Sequence, residues 1–289
     1  MNHNRLRVRL AKSDRPLVMA VLNVTPDSFY AASRVDPSSI DAVLARARSA
    51  IKNGADILDI GGESTRPGSS PISAQEEIDR VVPALEAIRK EFDVALSVDT
   101  SSPRLIAEAL LHDIDLVNDV RALSKPGALE CAAQAKIPVC LMHMQAAPDT
   151  MQANPSYSDV ITEVYGFLRS RKDACLEAGM AESDILIDPG FGFGKKDEHN
   201  LTLLNQLSTF TTLGTLLVGL SRKSLIGRLL GRSEKQRLPA SLALAAAAFD
   251  NGARIIRVHD VLETRDLLDM LWLLKHQREH DSVPSLQTL

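Results

Sequence analysis

Along this chain, polar side chains able to bind and polarise a small anionic ligand recur at one kind of place, the end of a short apolar run. Asn23 closes the first such run, Glu63, Thr65 and Arg66 follow the second, Asp99 closes the third, and Asn118 and Asp119 close the fourth. His143 follows the fifth, Asp188 ends the sixth, Ser221, Arg222 and Lys223 follow the seventh, and Arg257, His259 and Asp260 complete the series. Any one of these reads as readily as a cap or turn residue, since Asp, Asn and Ser favour such positions. Their repetition at every run is what points to a site. Carboxylates and an amide (Asp99, Asn118, Asp188) can exchange hydrogen bonds with a flat, nitrogen-rich ring, and cations (Arg66, Lys223, Arg257, His259) suit phosphate oxygens. The glycines of Gly61-Gly62 and of Gly190-Phe191-Gly192-Phe193-Gly194 let backbone come close to such a ligand, although turns alone also use glycine. No HExxH, cysteine cluster or spaced histidine pair is present, which argues against structural zinc. An amide oxygen such as that of Asn23, joined by phosphate oxygens, suits magnesium that arrives with a substrate. Ser221 and Ser224 flank Lys223 without the G-x-S-x-G setting of a nucleophilic serine.

The elements that must position these residues are legible as alternation. Eight runs, Leu17–Asn23, Ile57–Ile60, Val94–Val98, Leu116–Asn118, Pro138–Met142, Ile185–Asp188, Leu216–Leu220 and Arg254–Val258, are mostly continuously apolar, as parallel strands covered on both faces are. Helical patterns lie between them. Ser73 with Glu76 forms a capping box, Ser102-Pro103 reads as N-cap and first helical residue, and Ile40, Val43, Leu44, Ala47 and Ile51 form a stripe that stops at Asn53-Gly54. Pro83 is expected to kink its helix. Eight β-then-α units predict an α/β fold, a closed (β/α)₈ barrel, whose active site lies at the carboxyl ends of the strands. A doubly wound open sheet is the alternative, but no GxGxxG follows the first run. One domain over 1–289 is expected, with a core from about 17 to 278, a short basic lead at Met1–Lys12 and a frayed tail from Asp281 to Leu289.

Composition narrows the partners. With 289 residues, 45% of them hydrophobic, and a formal net charge of -4, the chain can bury a large core but has no basic surplus for a nucleic acid backbone. Cys131, Cys140 and Cys175 sit singly in apolar stretches with no CxxC pair, which favours a reducing cytoplasm over a disulfide framework. The lead lacks a signal peptide's apolar run, and no apolar segment reaches membrane-spanning length.

The segments themselves resemble one family closely. Leu22-Asn23-Val24-Thr25-Pro26-Asp27-Ser28-Phe29, Gly61-Gly62-Glu63-Ser64-Thr65-Arg66-Pro67-Gly68, Ser97-Val98-Asp99-Thr100, Asp188 to Gly194, Ser221-Arg222-Lys223-Ser224 and Arg257-Val258-His259 are similar, in order, to the motifs of bacterial dihydropteroate synthases. The resemblance implies a homodimeric, cytoplasmic, sulfonamide-sensitive barrel that uses magnesium. It would displace pyrophosphate from 6-hydroxymethyl-7,8-dihydropterin pyrophosphate with 4-aminobenzoate. By matching positions it implies that Asp99, Asn118, Met142, Asp188, Lys223 and Arg257 hold the pterin. Asn23 with magnesium, Thr65, Arg66, Arg257 and His259 would hold pyrophosphate. Phe29, Thr65, Pro67, Phe193, Lys223 and Ser224 would frame the aminobenzoate.

The chain departs from the family pattern at Tyr30-Ala31-Ala32-Ser33, where Ser-Asp-Gly-Gly is common, and in Met142–Pro148, where alanine stands for a favoured glycine. Three other readings stay open at this level: a pterin-dependent methyltransferase barrel, a Schiff-base lyase using Lys223, and a pterin-binding paralogue without turnover.

Overall fold

The computed structural model describes residues 4–12, 14–24, 40–63, 72–146, 151 and 155–279. Its strands are β1 (Leu17–Asn23), β2 (Ile57–Gly61), β3 (Ala95–Asp99), β4 (Leu116–Asp119), β5 (Val139–Met142), β6 (Ile185–Asp188), β7 (Thr215–Val218) and β8 (Ala253–Val258). They follow the eight apolar runs of the sequence, and no end moves by more than two residues. All neighbours are parallel and the sheet closes in chain order, with β8 returning to β1 through Leu17↔Ile255 to Ala20↔Val258. The open-sheet alternative is thereby removed.

Around the strands run α2 (Ile40–Lys52), α3 (Ala74–Glu91), α4 (Pro103–Leu110), α5 (Ala128–Ala135), α6 (Val160–Glu177), α7 (Asp197–Asn205), α8 (Ser224–Leu230), α9 (Leu238–Asp250) and α10 (Val261–Glu279), while α1 (Arg5–Lys12) precedes β1. Their boundaries follow local chemistry. The Ser73 hydroxyl accepts the Glu76 N–H at 3.1 Å, satisfying one of the unpaired donors of the first turn of α3. The Ser102 hydroxyl accepts from Leu105 N–H at 3.5 Å, with Pro103 first in α4. Chain direction reverses after α2 at Gly54, whose φ of +94° suits glycine. Pro83 lies inside α3, which continues through it to Glu91.

Period-two alternation explains how this barrel makes a site. Successive side chains of a strand face opposite ways, so Val18, Ala20, Leu22, Leu58, Ile60, Leu96 and Val98 point outward into one large core shared with the helices. Leu17, Met19, Ile57, Ala95, Leu116, Cys140, Leu186, Leu217 and Ile255 point inward and form a second, separate core. Two residues further along the strands the same inward positions are held by Asp59, Ser97, Asn118, Met142, Asp188 and Arg257. The barrel interior is therefore apolar at its amino end and polar at its carboxyl end.

The basic lead expected to lie outside the core is instead the plug of the apolar end. Leu6 of α1 is wholly buried in the inner core, with Leu10 packed against it. Its arginines meet acidic residues that precede the strands. Arg5 Nη1 donates to Asp113 at 2.9 Å and its backbone N–H to Asp115 at 2.6 Å. Arg7 grips Asp184 through two bonds of 2.7 and 2.8 Å, and Arg9 reaches Asp56 at 3.1 Å. Asp56 and Asp115 also accept the backbone N–H of Val18 and Leu96 at 2.9 and 3.0 Å, so one carboxylate satisfies a strand's first donor and holds the plug. Removing the Leu6 side chain leaves a cavity under the inner core, so Leu6→Ala is expected to lower the free energy of unfolding in urea by about 2–5 kcal/mol. Ligand affinity at the opposite mouth is expected to stay within twofold.

Candidate active site

At the polar end, strand register sets side chains side by side. Asn23, Gly61, Asp99 and Asn118 are consecutive partners across β1 to β4, and Met142 and Asp188 are partners across β5 and β6. Gly61 keeps the space between two of them open, because a Cβ there would lie 3.3 Å from Asp99 Cβ and 3.5 Å from Asn23 Oδ1.

Arg257, entering from β8, ties this layer together. Its Nε donates to Asp59 Oδ2 at 2.7 Å and its Nη2 to Asp99 Oδ2 at 2.8 Å. Asp59, fully buried, accepts Asn118 Nδ2 on the same oxygen at 3.2 Å. Burial works against the guanidinium charge, but the Asp59 and Asp99 carboxylates outweigh it and raise the Arg257 pKa. Burial pushes Asp99 well above the usual carboxylate range, with Arg257 opposing and Asp59 adding to the rise. Asp188 is pushed up to about 6 by burial, against the pull of the Gly190 N–H, which it accepts at 2.7 Å, and of Lys223. Lys223 is lowered to about 8 by burial and then by Arg257, and its Nζ stands 4.2 Å from the centroid of the Phe193 ring. The layer thus combines carboxyl groups reluctant to ionise with a guanidinium that holds its charge and an ammonium that gives up its proton more readily than usual.

The loop after β6 is held by packing that requires glycine. Gly190 and Gly194 have φ of +73° and +62°, and a Cβ on them would lie 1.8 Å from the His143 carbonyl and 2.5 Å from that of Gln145. A lysine missed by sequence reasoning pegs this loop: buried Lys195 donates to the carbonyls of Gly190 and Phe193 at 2.9 and 3.0 Å, and its Nζ lies 2.9 Å from His143 Nδ1. Burial brings the Lys195 pKa down to about 7, and burial with Lys195 brings that of His143 down to about 3, so the imidazole stays neutral and Nδ1 is available as an acceptor.

Several sequence readings are corrected by geometry. Arg222, read as part of an anion site, has φ of +56° and is committed to Asp260 by bonds of 2.9 and 2.6 Å. Asp119 is a loop staple that accepts from the Arg121 and Leu123 N–H groups, each at 2.8 Å, and from the Ser101 hydroxyl. His143 belongs to the Lys195 peg. His259, read as a cation, lies beside Ser221, with Nδ1 3.1 Å from the hydroxyl. Desolvation, then Arg257 and Arg222, lowers its pKa, while the ring stays open to solvent on one side, where an arriving anion can reach it. Ser224 opens α8 exposed to solvent and accepts Arg228 Nη1 at 2.9 Å. Phe29, Thr65, Arg66 and Pro67, and the Tyr30–Ser33 departure, lie outside the described residues. Asp59 had a legible signal that went unused, a carboxylate inside a run otherwise apolar on both faces. Lys195 had none.

Among the described residues no group of three or more His, Cys, Asp or Glu could hold a metal ion. A single amide oxygen at Asn23 fits a magnesium ion carried in on phosphate oxygens and water, and does not fit a resident metal.

A barrel with this polar mouth defines a binder of a planar, donor-rich heterocycle carrying an anion, and the family comparison agrees. The family of pterin binding enzymes matches residues 19–259, and the chain belongs to it. Its relatives include the dihydropteroate synthase of Escherichia coli (strain K12), 51% identical over 250 residues that cover 86% of this chain and 88% of that one. That of Haemophilus influenzae is 47% identical over 254 residues, covering 88% and 92%. Among solved structures, Yersinia pestis dihydropteroate synthase with a sulfonamide drug complex superposes with a TM-score of 0.86 at 47% identity, covering 92% of this chain and 95% of that one. Xanthomonas albilineans dihydropteroate synthase with 4-aminobenzoic acid does so with a TM-score of 0.85 at 42% identity, covering 91% and 94%.

In the loop after β5, where alanine stands for a favoured glycine, Ala146 adopts a backbone conformation that favours glycine. Ala146 has φ of +62°, a left-handed conformation in which a Cβ crowds its own carbonyl. Ala146→Gly is expected to stabilise the fold by about 0.5–1 kcal/mol after the entropy cost of glycine, read as a higher denaturation midpoint at unchanged slope.

Proposed function

We propose that this protein condenses 6-hydroxymethyl-7,8-dihydropterin pyrophosphate with 4-aminobenzoate, giving 7,8-dihydropteroate and pyrophosphate, and that the whole chain acts as one barrel unit. The observation that carries this reading is the inward layer in which Asp99, Asn118 and Asp188 stand with Lys223 and Arg257, an acceptor set flanked by two cations. Asp188 takes the pterin's amino and ring N–H donors, Lys223 its acceptor atoms, Asp99 and Asn118 the far edge, and Met142 lines the pocket. Arg257 adds a contact to the pterin and, with Asn23, Thr65, Arg66 and His259, holds the pyrophosphate. Phe29, Thr65, Pro67, Phe193, Lys223 and Ser224 frame the aminobenzoate.

The chemistry needs no strong base. The neutral arylamine attacks the methylene carbon, the carbon–oxygen bond breaks, pyrophosphate leaves with the electron pair, and the amine gives up a proton. Leaving-group stabilisation is the demanding part. Among the described residues nothing takes the Arg257 Nη1 group, which leaves it for the pyrophosphate while Nε and Nη2 stay on Asp59 and Asp99. The arriving anion raises the His259 pKa and draws a proton onto it, adding a charge only when substrate is bound. Magnesium, held by Asn23 and the pyrophosphate itself, would neutralise the leaving group's charge. Phe193, stacked by Lys223, positions the amine behind the methylene.

Turnover is tested by pyrophosphate release that depends on 4-aminobenzoate, with and without magnesium. Its absence would leave the non-catalytic paralogue standing. Sulfonamides are expected to compete with 4-aminobenzoate, and inhibition relieved only by excess pterin pyrophosphate would contradict the assigned pocket. We also infer a homodimer, supported by the exposed Leu229 and Leu230 of α8 and Leu262, Met270 and Leu274 of α10, and a cytoplasmic setting, supported by three unpaired thiols.

The raised Asp188 pKa gives two opposite expectations for one substitution. A buried carboxyl that favours its proton stabilises the fold fully below its ordinary value near 3.8, and that stability is lost as pH rises through about 6. Asp188→Asn removes the titration, so unfolding at pH 8 is expected to become harder by roughly 2–3 kcal/mol. Pterin affinity is expected to fall by about 2–5 kcal/mol, because an amide must set one donor against a donor. In the unsubstituted protein, calorimetry is expected to find pterin binding weakening tenfold per pH unit below about 6. Binding that is flat from pH 7 to pH 5 would remove Asp188 from the pterin site.

A further inference from the structure

The loop that carries Phe193 rests on a side chain shut away from solvent and from any ligand. Lys195 doubles back under its own loop and is only 1% exposed. An ammonium has three donors, and three acceptors surround this one: the Gly190 and Phe193 carbonyls at 2.9 and 3.0 Å and His143 Nδ1 at 2.9 Å. The two carbonyls depend on it unequally. That of Gly190 also accepts the Phe193 N–H at 3.2 Å, and the Gly190 N–H is held separately by Asp188 at 2.7 Å. Among the described residues the Phe193 carbonyl is taken by Lys195 alone. Its neighbours are fastened from elsewhere, the Gly192 N–H by Asn200 at 2.7 Å and the Gly194 carbonyl by the Tyr157 hydroxyl at 2.8 Å. Without the ammonium, Gly190 keeps both of its other bonds, whereas the carbonyl of the half-buried Phe193 is left with none among these residues.

We propose that Lys195 is a positioning residue that acts through Phe193, setting the affinity for the arylamine substrate while leaving the pterin end of the mouth unchanged. This rests on the reading of Phe193 as part of the aminobenzoate frame and adds the residue that fixes it there. With its carbonyl held, the ring stands 4.2 Å from Lys223 Nζ before a second substrate arrives. Without that hold the order must be supplied on binding, and ordering one side chain weakens binding by about threefold to tenfold. Asp188 is spared, because its bond to the Gly190 N–H does not pass through the ammonium. A carbon chain would fill the same space without the cost of burying an ammonium, a cost visible in a Lys195 pKa that burial brings down to about 7. The charge is therefore there for the carbonyls.

The test is Lys195→Met in the full-length protein, a substitution that keeps an unbranched stem and removes the donors. The KM for 4-aminobenzoate, read from pyrophosphate release at saturating pterin pyrophosphate, is expected to rise about threefold to tenfold. The kcat at saturating 4-aminobenzoate and the calorimetric affinity for 6-hydroxymethyl-7,8-dihydropterin are expected to stay within about twofold. Phe193→Ala supplies the control: if Lys195 acts through that ring, the two substitutions together raise KM no further than Phe193→Ala alone. A merely structural role lowers the urea midpoint and leaves KM where it was. An unchanged KM in folded Lys195→Met overturns the proposal, as does full additivity with Phe193→Ala, or a loss of pterin affinity equal to the loss for 4-aminobenzoate. Should Lys195→Met fail to fold, Lys195→Gln, with a neutral amide on a shorter stem, is read in the same way. Turnover in the unsubstituted protein with a KM that ignores Lys195 overturns this inference alone. No pyrophosphate release dependent on 4-aminobenzoate in the unsubstituted protein overturns the reading beneath it.

Discussion

The structure depends on one buried ion cluster, the Arg257 guanidinium held between Asp59 and Asp99 inside the closed barrel. A charge taken out of water at this depth is tolerable only if its partners come with it, and breaking one side strands the others. Asp59 and Asp99 come from the paired strands β2 and β3, whereas Arg257 comes from β8, far along the sequence, and reaches them only through the return of β8 to β1. Closure of the sheet and assembly of the site are thus one event. The same cluster sets the surrounding chemistry: Arg257 lowers the proton affinity of Lys223 and His259, and Asp59 raises that of Asp99.

The loops obey a different logic. After β6 the chain is fixed from below, by Lys195 bonded to two of its carbonyls and by glycines that let the backbone touch the β5 loop. Rigid support there leaves the Phe193 ring and the Asp188 carboxyl with defined positions before any ligand arrives, as preorganised binding requires. A buried ammonium with a depressed pKa is a costly support, yet it gives the Phe193 carbonyl a partner and adds a second donor to the Gly190 carbonyl beside the Phe193 N–H.

Much of this was readable in the chain, for identifiable reasons. Strands covered on both faces leave long apolar runs, and Asn23, Asp99, Asn118 and Asp188 stand out because each interrupts one at its end. The misread residues, Arg222 and Asp119, share a cause. Position at a strand end says that a side chain is near the mouth, not which way it turns, and partners such as Asp260 or Ser101 capture it first. The α1 plug was illegible because Leu6 and Leu10 look like any short basic amphipathic stretch until the barrel's apolar floor exists to receive them.

That plug ties the start of the chain to the closure of the barrel. The partners of α1 lie far along the chain, Asp115 about a hundred residues from Arg5 and Asp184 further still from Arg7, and each sits at the foot of a strand that must already be in place. A helix of eight residues has little stability of its own in water. It therefore depends for its structure on the floor it seals, to which all eight strands contribute. The segment that seals the floor of the barrel keeps its place only where strands from all round the sheet meet beneath it, so its docked state is a signature of closure.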